Sequence, residues 1–201
     1  MIDINMEEAI ANSFKDYHVK GFDYICLKRS PTLTTKLYFF DGDVSKLPEV
    51  VNPHDHRYDF HTLCVAGEVE NIWFEEGWNP QLQGNNYETF AYYTPLNGGD
   101  GFKWIGTTPL SIAKRKSHVA GEAYIMGHEE LHTIRLVQNE TVIMLNQFED
   151  RVPLGLPTRT FTLDKEPPSL SGLYGKMTAD DIRQKLTRLS ERVPTFKFTL
   201  D

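Results

Sequence analysis

The 201-residue chain has only two cysteines, Cys26 and Cys64. That is too few for the disulfide framework of a small secreted domain. It has no apolar run approaching the roughly 20 residues that a membrane-spanning helix needs. Basic excess is missing as well: 21 Lys and Arg face 28 Asp and Glu, for a formal net charge of −7. This argues against nucleic acid as the main partner, because phosphate binding wants clustered Lys and Arg. The one basic run, Lys114-Arg115-Lys116, reads as a solvated strand edge that discourages aggregation. Met1 to Glu8 is acidic and lacks the basic and apolar regions of a signal peptide. The expectation is a soluble, cytoplasmic protein with no membrane partner and with both thiols reduced.

What the chain does have is a succession of short β-patterned segments. The length suits one domain, residues 1–201. Asn5 and Glu8 fit a capping box, and Met6, Ile10 and Phe14 give an apolar stripe, so a helix is expected over 5–17. Phe22 to Lys28 and Thr34 to Phe40 are rich in β-branched and aromatic residues and read as a strand pair. Asp41-Gly42-Asp43 marks a turn. His61 to Phe74 reads as two strands with Gly67 at the bend. Glu75 to Gly101 reads as a long connection with one strand near Tyr87 to Thr94; connections this long are often functional. Leu110 to Val119, Ala123 to Met126, Leu131 to Val137 and Thr141 to Phe148 complete a barrel core over about 22–150. After Asp150, prolines 153, 157, 167 and 168 predict a surface strap. Thr178 and Asp181 then open a helix carrying Ile182, Leu186, Leu189 and Val193 that stops at Pro194. Many short strands with a helix at each end predict an all-β jelly-roll barrel.

Chemistry concentrates in Pro53-His54-Asp55-His56-Arg57-Tyr58-Asp59-Phe60-His61, which holds three of the seven histidines. Imidazole is the commonest protein ligand for transition metals. In a strand, residues i and i+2 share a face, so His54 and His56 can face one interior while Asp55 turns away. His132 opens a later strand and is a third candidate. His61 requires a turn or bulge near Tyr58-Asp59 to join them, and is the fourth. His128 reads as a turn residue, and His18 and His118 as surface residues. Cys64, in Leu63-Cys64-Val65, reads as a small buried hydrophobe.

With these residues the chain resembles the cupin superfamily. His54-Asp55-His56, then His61 in the usual Glu position, then Gly67, match the spacing of the first cupin motif. Gly121, Met126-Gly127 and His132 correspond to the second. The resemblance covers roughly residues 50–148 and implies a double-stranded β-helix. Within that superfamily, the run from His54 through Cys64 to Asn71 is similar to the cysteine dioxygenase branch, although its Ser-x-His-x-Tyr group is absent around Val142 to Asn146. What this implies is a mononuclear non-haem metal centre, Fe2+ first and Zn2+, Mn2+ or Ni2+ as alternatives, held by His54, His56, His61 and His132. The implied activity is dioxygenation of a small polar or anionic molecule, with dioxygen as co-substrate. A redox-neutral lyase or isomerase, and a non-catalytic metal- or small-molecule-binding barrel, are the other readings. Tyr58 and Tyr124 are the candidate catalytic residues. Trp73 and Arg135 are further candidate contacts, with alternation from His132 turning Arg135 outward. Edge strands or the aromatic-rich connection offer a surface for a homodimer.

Overall fold

The computed structural model describes residues 1–17, 22–41 and 52–201. The chain opens with β1 (Ile2–Ile4), α1 (Met6–Asn12) and β2 (Phe14–Lys15), followed by the hairpin β3 (Asp23–Arg29) and β4 (Leu33–Phe40). Next come β5 (Tyr58–Ala66), β6 (Glu68–Glu76), β7 (Gly84–Tyr93), β8 (Gly101–Val119) and β9 (Ala123–Met126). Then follow β10 (Leu131–Leu136), β11 (Thr141–Asp150), β12 (Thr158–Thr162), β13 (Gly175–Lys176), α2 (Ala179–Arg192) and β14 (Phe198–Leu200).

Two antiparallel sheets make the body of a jelly roll. One has the order β13-β2-β3-β4-β11-β5-β9, the other β10-β6-β8-β7-β12. The pair β1–β14 is parallel and stands apart. The segment 53–56 closes the second sheet. His54 exchanges backbone hydrogen bonds with His132 of β10 (3.0 and 3.1 Å). On its other side, Asp55 N–H donates to the Arg159 carbonyl of β12 (3.2 Å) and Phe161 N–H donates to the Pro53 carbonyl (2.9 Å). Both edges of the five-stranded sheet are therefore covered by one short stretch of chain, which answers the exposed-edge problem. That stretch then runs on into β5 of the other sheet.

Gly67 turns β5 into β6 with φ of +81°. A Cβ there would collide with the hydroxyl and backbone of Thr141, so conformation and space both call for glycine. The terminal helices begin where the capping signals place them. The Asn5 side chain accepts from Glu8 N–H (2.8 Å), and Thr178 and Asp181 cap each other reciprocally.

Three expectations need correction. The first helix stops at Asn12 rather than extending to residue 17. Ser13 is extended and fully buried, its hydroxyl accepts the Cys26 N–H (2.9 Å), and Phe14 pairs with Tyr24 as strand. Strand β8 begins at Gly101, well before Leu110, because its first half pairs with β7 as a ribbon. His118 is 1% exposed rather than on the surface; it lies opposite the core residue Val69 in the β6–β8 register. The turn expected at Asp41-Gly42-Asp43 falls largely outside the described residues.

Alternation gives the seven-stranded sheet two different faces. Ile25, Leu27, Leu37 and Phe39 pack with Ile182, Leu186 and Leu189 of α2. The intervening Tyr24, Tyr38 and Phe40 face the sheet opposite, together with Phe60 and Tyr124. Among the described residues, no helix is long and apolar enough to cross a membrane.

Candidate metal centre

His54, His56 and His132 each present a ring nitrogen, and these nitrogens all lie within 4.8 Å of one another. The His56 and His132 Nε2 atoms are 3.3 Å apart. Backbone pairing produces this arrangement. His54 and His132 sit directly opposite as a bridged antiparallel pair, so their side chains rise from the same face. His56 follows at i+2 and is fixed by its N–H, which donates to the His128 carbonyl (2.9 Å). Asp55 turns to Arg159, accepting from its backbone N–H (2.6 Å) and its Nε (2.8 Å).

Proton placement in two of the rings suits ligation. His54 Nδ1 is 2.8 Å from the Asn52 carbonyl oxygen. A carbonyl only accepts, so Nδ1 carries the proton and Nε2 is left with its lone pair. His132 Nδ1 meets the Asn71 side-chain oxygen at 3.0 Å, with the same result. Burial holds the pKa of His54 below its ordinary value and that of His132 well below it. Both rings are thus in the neutral form that binds metal. Three ring nitrogens at this spacing suit one divalent ion, at metal–nitrogen bonds of about 2.0–2.1 Å with modest closing of the cluster. The donor set fits a transition metal, and the oriented Nδ1–H groups are the outer support such ligands require.

His61, expected as a fourth ligand, is not part of the cluster. It pairs with Ile125, which is 72% exposed, while Phe60 next to it points into the cavity. The register shift beside Tyr58 and Phe60 adds its extra residue to β11, between Gln147 and Asp150, so alternation along β5 itself is kept. His128 occupies a turn, bound to the Asp59 carboxylate at 3.0 Å. Backbone N–H donation from His128 and the Arg151 side chain hold the Asp59 carboxyl at about 2.

The triad lies in the wall of a cavity of about 1050 Å³, at the large end for a ligand pocket. Phe60 packs edge-on against His56, with ring centroids 4.8 Å apart. Tyr58 and Tyr124 both line the cavity. Burial pushes the Tyr58 phenol up to about 12 and raises Tyr124 too. Both are therefore protonated at neutral pH. Trp73 and Arg135 do not face the cavity: the Trp73 indole donates to Glu130 (2.9 Å) and Arg135 pairs with Glu70 (2.8 Å). From the long connection, Tyr92, Thr94, Leu96 and Asn97 reach the cavity.

Two residues of this region were not predicted from the sequence. Asn71 is fully buried and its side-chain oxygen meets His132 Nδ1; its signal is one amide two residues past the core residue Val69. Lys36 is 2% exposed in the cavity wall; its signal is one cation within the buried run Lys36-Leu37-Tyr38-Phe39-Phe40.

The sequence matches no protein-family model and no curated protein. Solved structures similar to the chain include proteins described as cupins. KdgF from Halomonas sp. is 12% identical, with 70% of this chain and 91% of that one covered and a TM-score of 0.41. An RmlC-like cupin from Shewanella frigidimarina is 13% identical over 70% and 87%, with a TM-score of 0.39. Hydroxypropylphosphonic acid epoxidase from S. wedmorenis is 13% identical over 68% and 54%, with a TM-score of 0.40.

Proposed function

We propose that the chain is a mononuclear non-haem metal enzyme that uses Fe2+ and dioxygen to oxidise a small polar or anionic molecule. The observation that carries this reading is the convergence of His54, His56 and His132 on one point of a large cavity, with Nδ1–H groups of two rings tied to oxygen acceptors. When bound, a ferrous ion supplies the redox chemistry toward dioxygen that amino-acid side chains lack. Three neutral imidazoles leave the full charge of a divalent ion uncompensated, which favours an anionic substrate.

The chain's own residues have defined tasks in this scheme. His54, His56 and His132 hold the metal, and the Asn52 carbonyl and Asn71 amide keep two of the rings turned toward it. Phe60 shields the His56 ring from water. The Tyr58 hydroxyl, protonated and facing the cavity, donates to substrate. Tyr124 lines the same cavity, its phenol kept protonated by burial.

Elemental analysis of protein purified without chelator tests the metal. About one equivalent of iron is expected, and less than about a tenth of any transition metal points to a non-catalytic barrel. Oxygen consumption by the iron-loaded protein across thiols, diketones and phenolic acids tests the reaction. Turnover that proceeds without oxygen overturns the dioxygenase and leaves a Lewis-acid lyase or isomerase.

A further inference from the structure

Lys36 is a buried cation without a carboxylate partner among the described residues. Its ammonium sits 2.6 Å from the Gln147 side-chain oxygen and 3.4 Å from the Tyr58 hydroxyl. The rings of Tyr24, Tyr38 and Tyr58 surround it at 5.1, 5.7 and 5.1 Å. The 2.6 Å contact is short, as befits a charge-assisted bond, and three ring faces at this distance favour a cation. Asp150, also in the cavity wall, is taken up by Arg57 (3.3 Å).

Burying an ammonium is costly unless an opposite charge meets it. A fold selected for stability alone would place an apolar side chain at this position. An ammonium has three donors; one serves Gln147 and one faces the weak 3.4 Å contact to Tyr58, so donor capacity remains on the cavity side. Burial also pulls the Lys36 pKa below its ordinary value, which an arriving anion reverses. We propose that Lys36 anchors a carboxylate of the substrate, whose body lies against the tyrosine rings while its other end reaches the histidine triad. The occupant is thus an organic acid with an apolar or aromatic body. Tyr58 connects the two ends, since its hydroxyl meets Lys36 and its ring lies 6.2 Å from that of His56. The inference rests on the metal-enzyme reading only for the occupant's role as substrate; the anchor itself is independent of the metal.

The test titrates phenylacetate, and phenylacetamide as its uncharged counterpart, into the full-length wild type, K36M, K36Q and H132A proteins at pH 7. Wild type and H132A are expected to prefer the acid by about tenfold, the worth of one charge-assisted hydrogen bond. K36M and K36Q are expected to lose that preference to within about twofold, so the result does not hang on one variant's folding. K36M should also melt higher, because a buried charge gives way to an apolar chain of similar length. A folded K36M or K36Q that keeps the preference, or a wild type that never shows it, overturns the anchor. So does loss of the preference in H132A alone, which places the anion at the triad. Metal analysis of the same wild-type preparation judges the other reading separately: no metal alongside an intact, Lys36-dependent preference sinks the metal enzyme and leaves the anchor standing.

Discussion

The two faces of the seven-stranded sheet are built from the same strands and do opposite things. Toward the helices, β3 and β4 present Ile25, Leu27, Leu37 and Phe39, which meet Ile4, Met6, Ile182, Leu186 and Leu189 in a buried apolar layer. Toward the other sheet, the same strands present Tyr24, Lys36, Tyr38 and Phe40 around a cavity of about 1050 Å³. One face maximises apolar burial, the dominant favourable term in folding. The other leaves space, buries a cation and gathers imidazoles, each of which costs stability. Strand alternation lets a single sheet carry both without compromise, because no residue serves two faces. The helix face anchors the sheet, and the cavity face uses the rigidity so obtained.

Breaking that division of labour gives the largest effects. His132→Ala removes a ligand from the cavity face, and metal content should fall from about one equivalent to below about a tenth, with thermal stability of the metal-free protein little changed. Elemental analysis beside a melting curve checks both halves of the claim. Leu186→Ala does the reverse on the helix face. Its side chain is fully buried, so the cavity left behind should cost about 2–5 kcal/mol in a denaturant titration while metal binding at 25 °C persists. Metal lost in proportion to stability would show the two faces to be energetically one unit. Asn71→Leu is smaller and subtler: with the Nδ1–H of His132 left without its acceptor, metal affinity should weaken by about 10–100-fold, without loss of fold. Unchanged affinity would mean that β10 alone positions the ring.

Acidification sharpens the comparison from another side. Burial depresses the imidazole pKa values of His54 and His132, so the neutral ligating form persists below the ordinary value of about 6.5. The sign follows: protons compete with metal only at lower pH, and retention measured by elemental analysis should hold at about pH 6 and fail by about pH 4. Retention at pH 4 would mean that carboxylates are the true ligands.

Elements fixed by neighbouring residues were readable in the sequence, and those fixed by distant ones were not. Alternation and the Gly67 bend located β5 and β6, and side-chain spacing located both caps. His54 and His56 were readable as a pair because i+2 is a local relation. Asn71 escaped notice because its partner is 61 residues away, and Lys36 because Gln147 is 111 away. The early start of β8 escaped for a different reason. Lys103, Trp104 and Ile105 are exposed, so that half of the strand carries no buried row to set a period. His118 was read as a surface residue, yet register against Val69 turns it inward, where its ring lies tilted against Tyr124 with centroids 4.7 Å apart.

The smallest expected effect concerns His61, and it discriminates between a motif and a geometry. Motif spacing gives it a ligand's place; strand geometry takes it away. From His56, the even positions Tyr58 and Phe60 line the cavity, so the odd position 61 must point outward unless a bulge resets the count. The register of β5 against β9 is unbroken from Phe60 to Leu63, and no reset occurs there. His61→Ala should therefore leave metal content and affinity within about twofold of wild type, the ordinary range for a substitution that faces away from the site. A loss comparable to that of His132→Ala would require β5 to rotate by one residue. That rotation would expel Phe60, Thr62 and Cys64 from the core together, at a cost no single ligand bond in a three-histidine site repays.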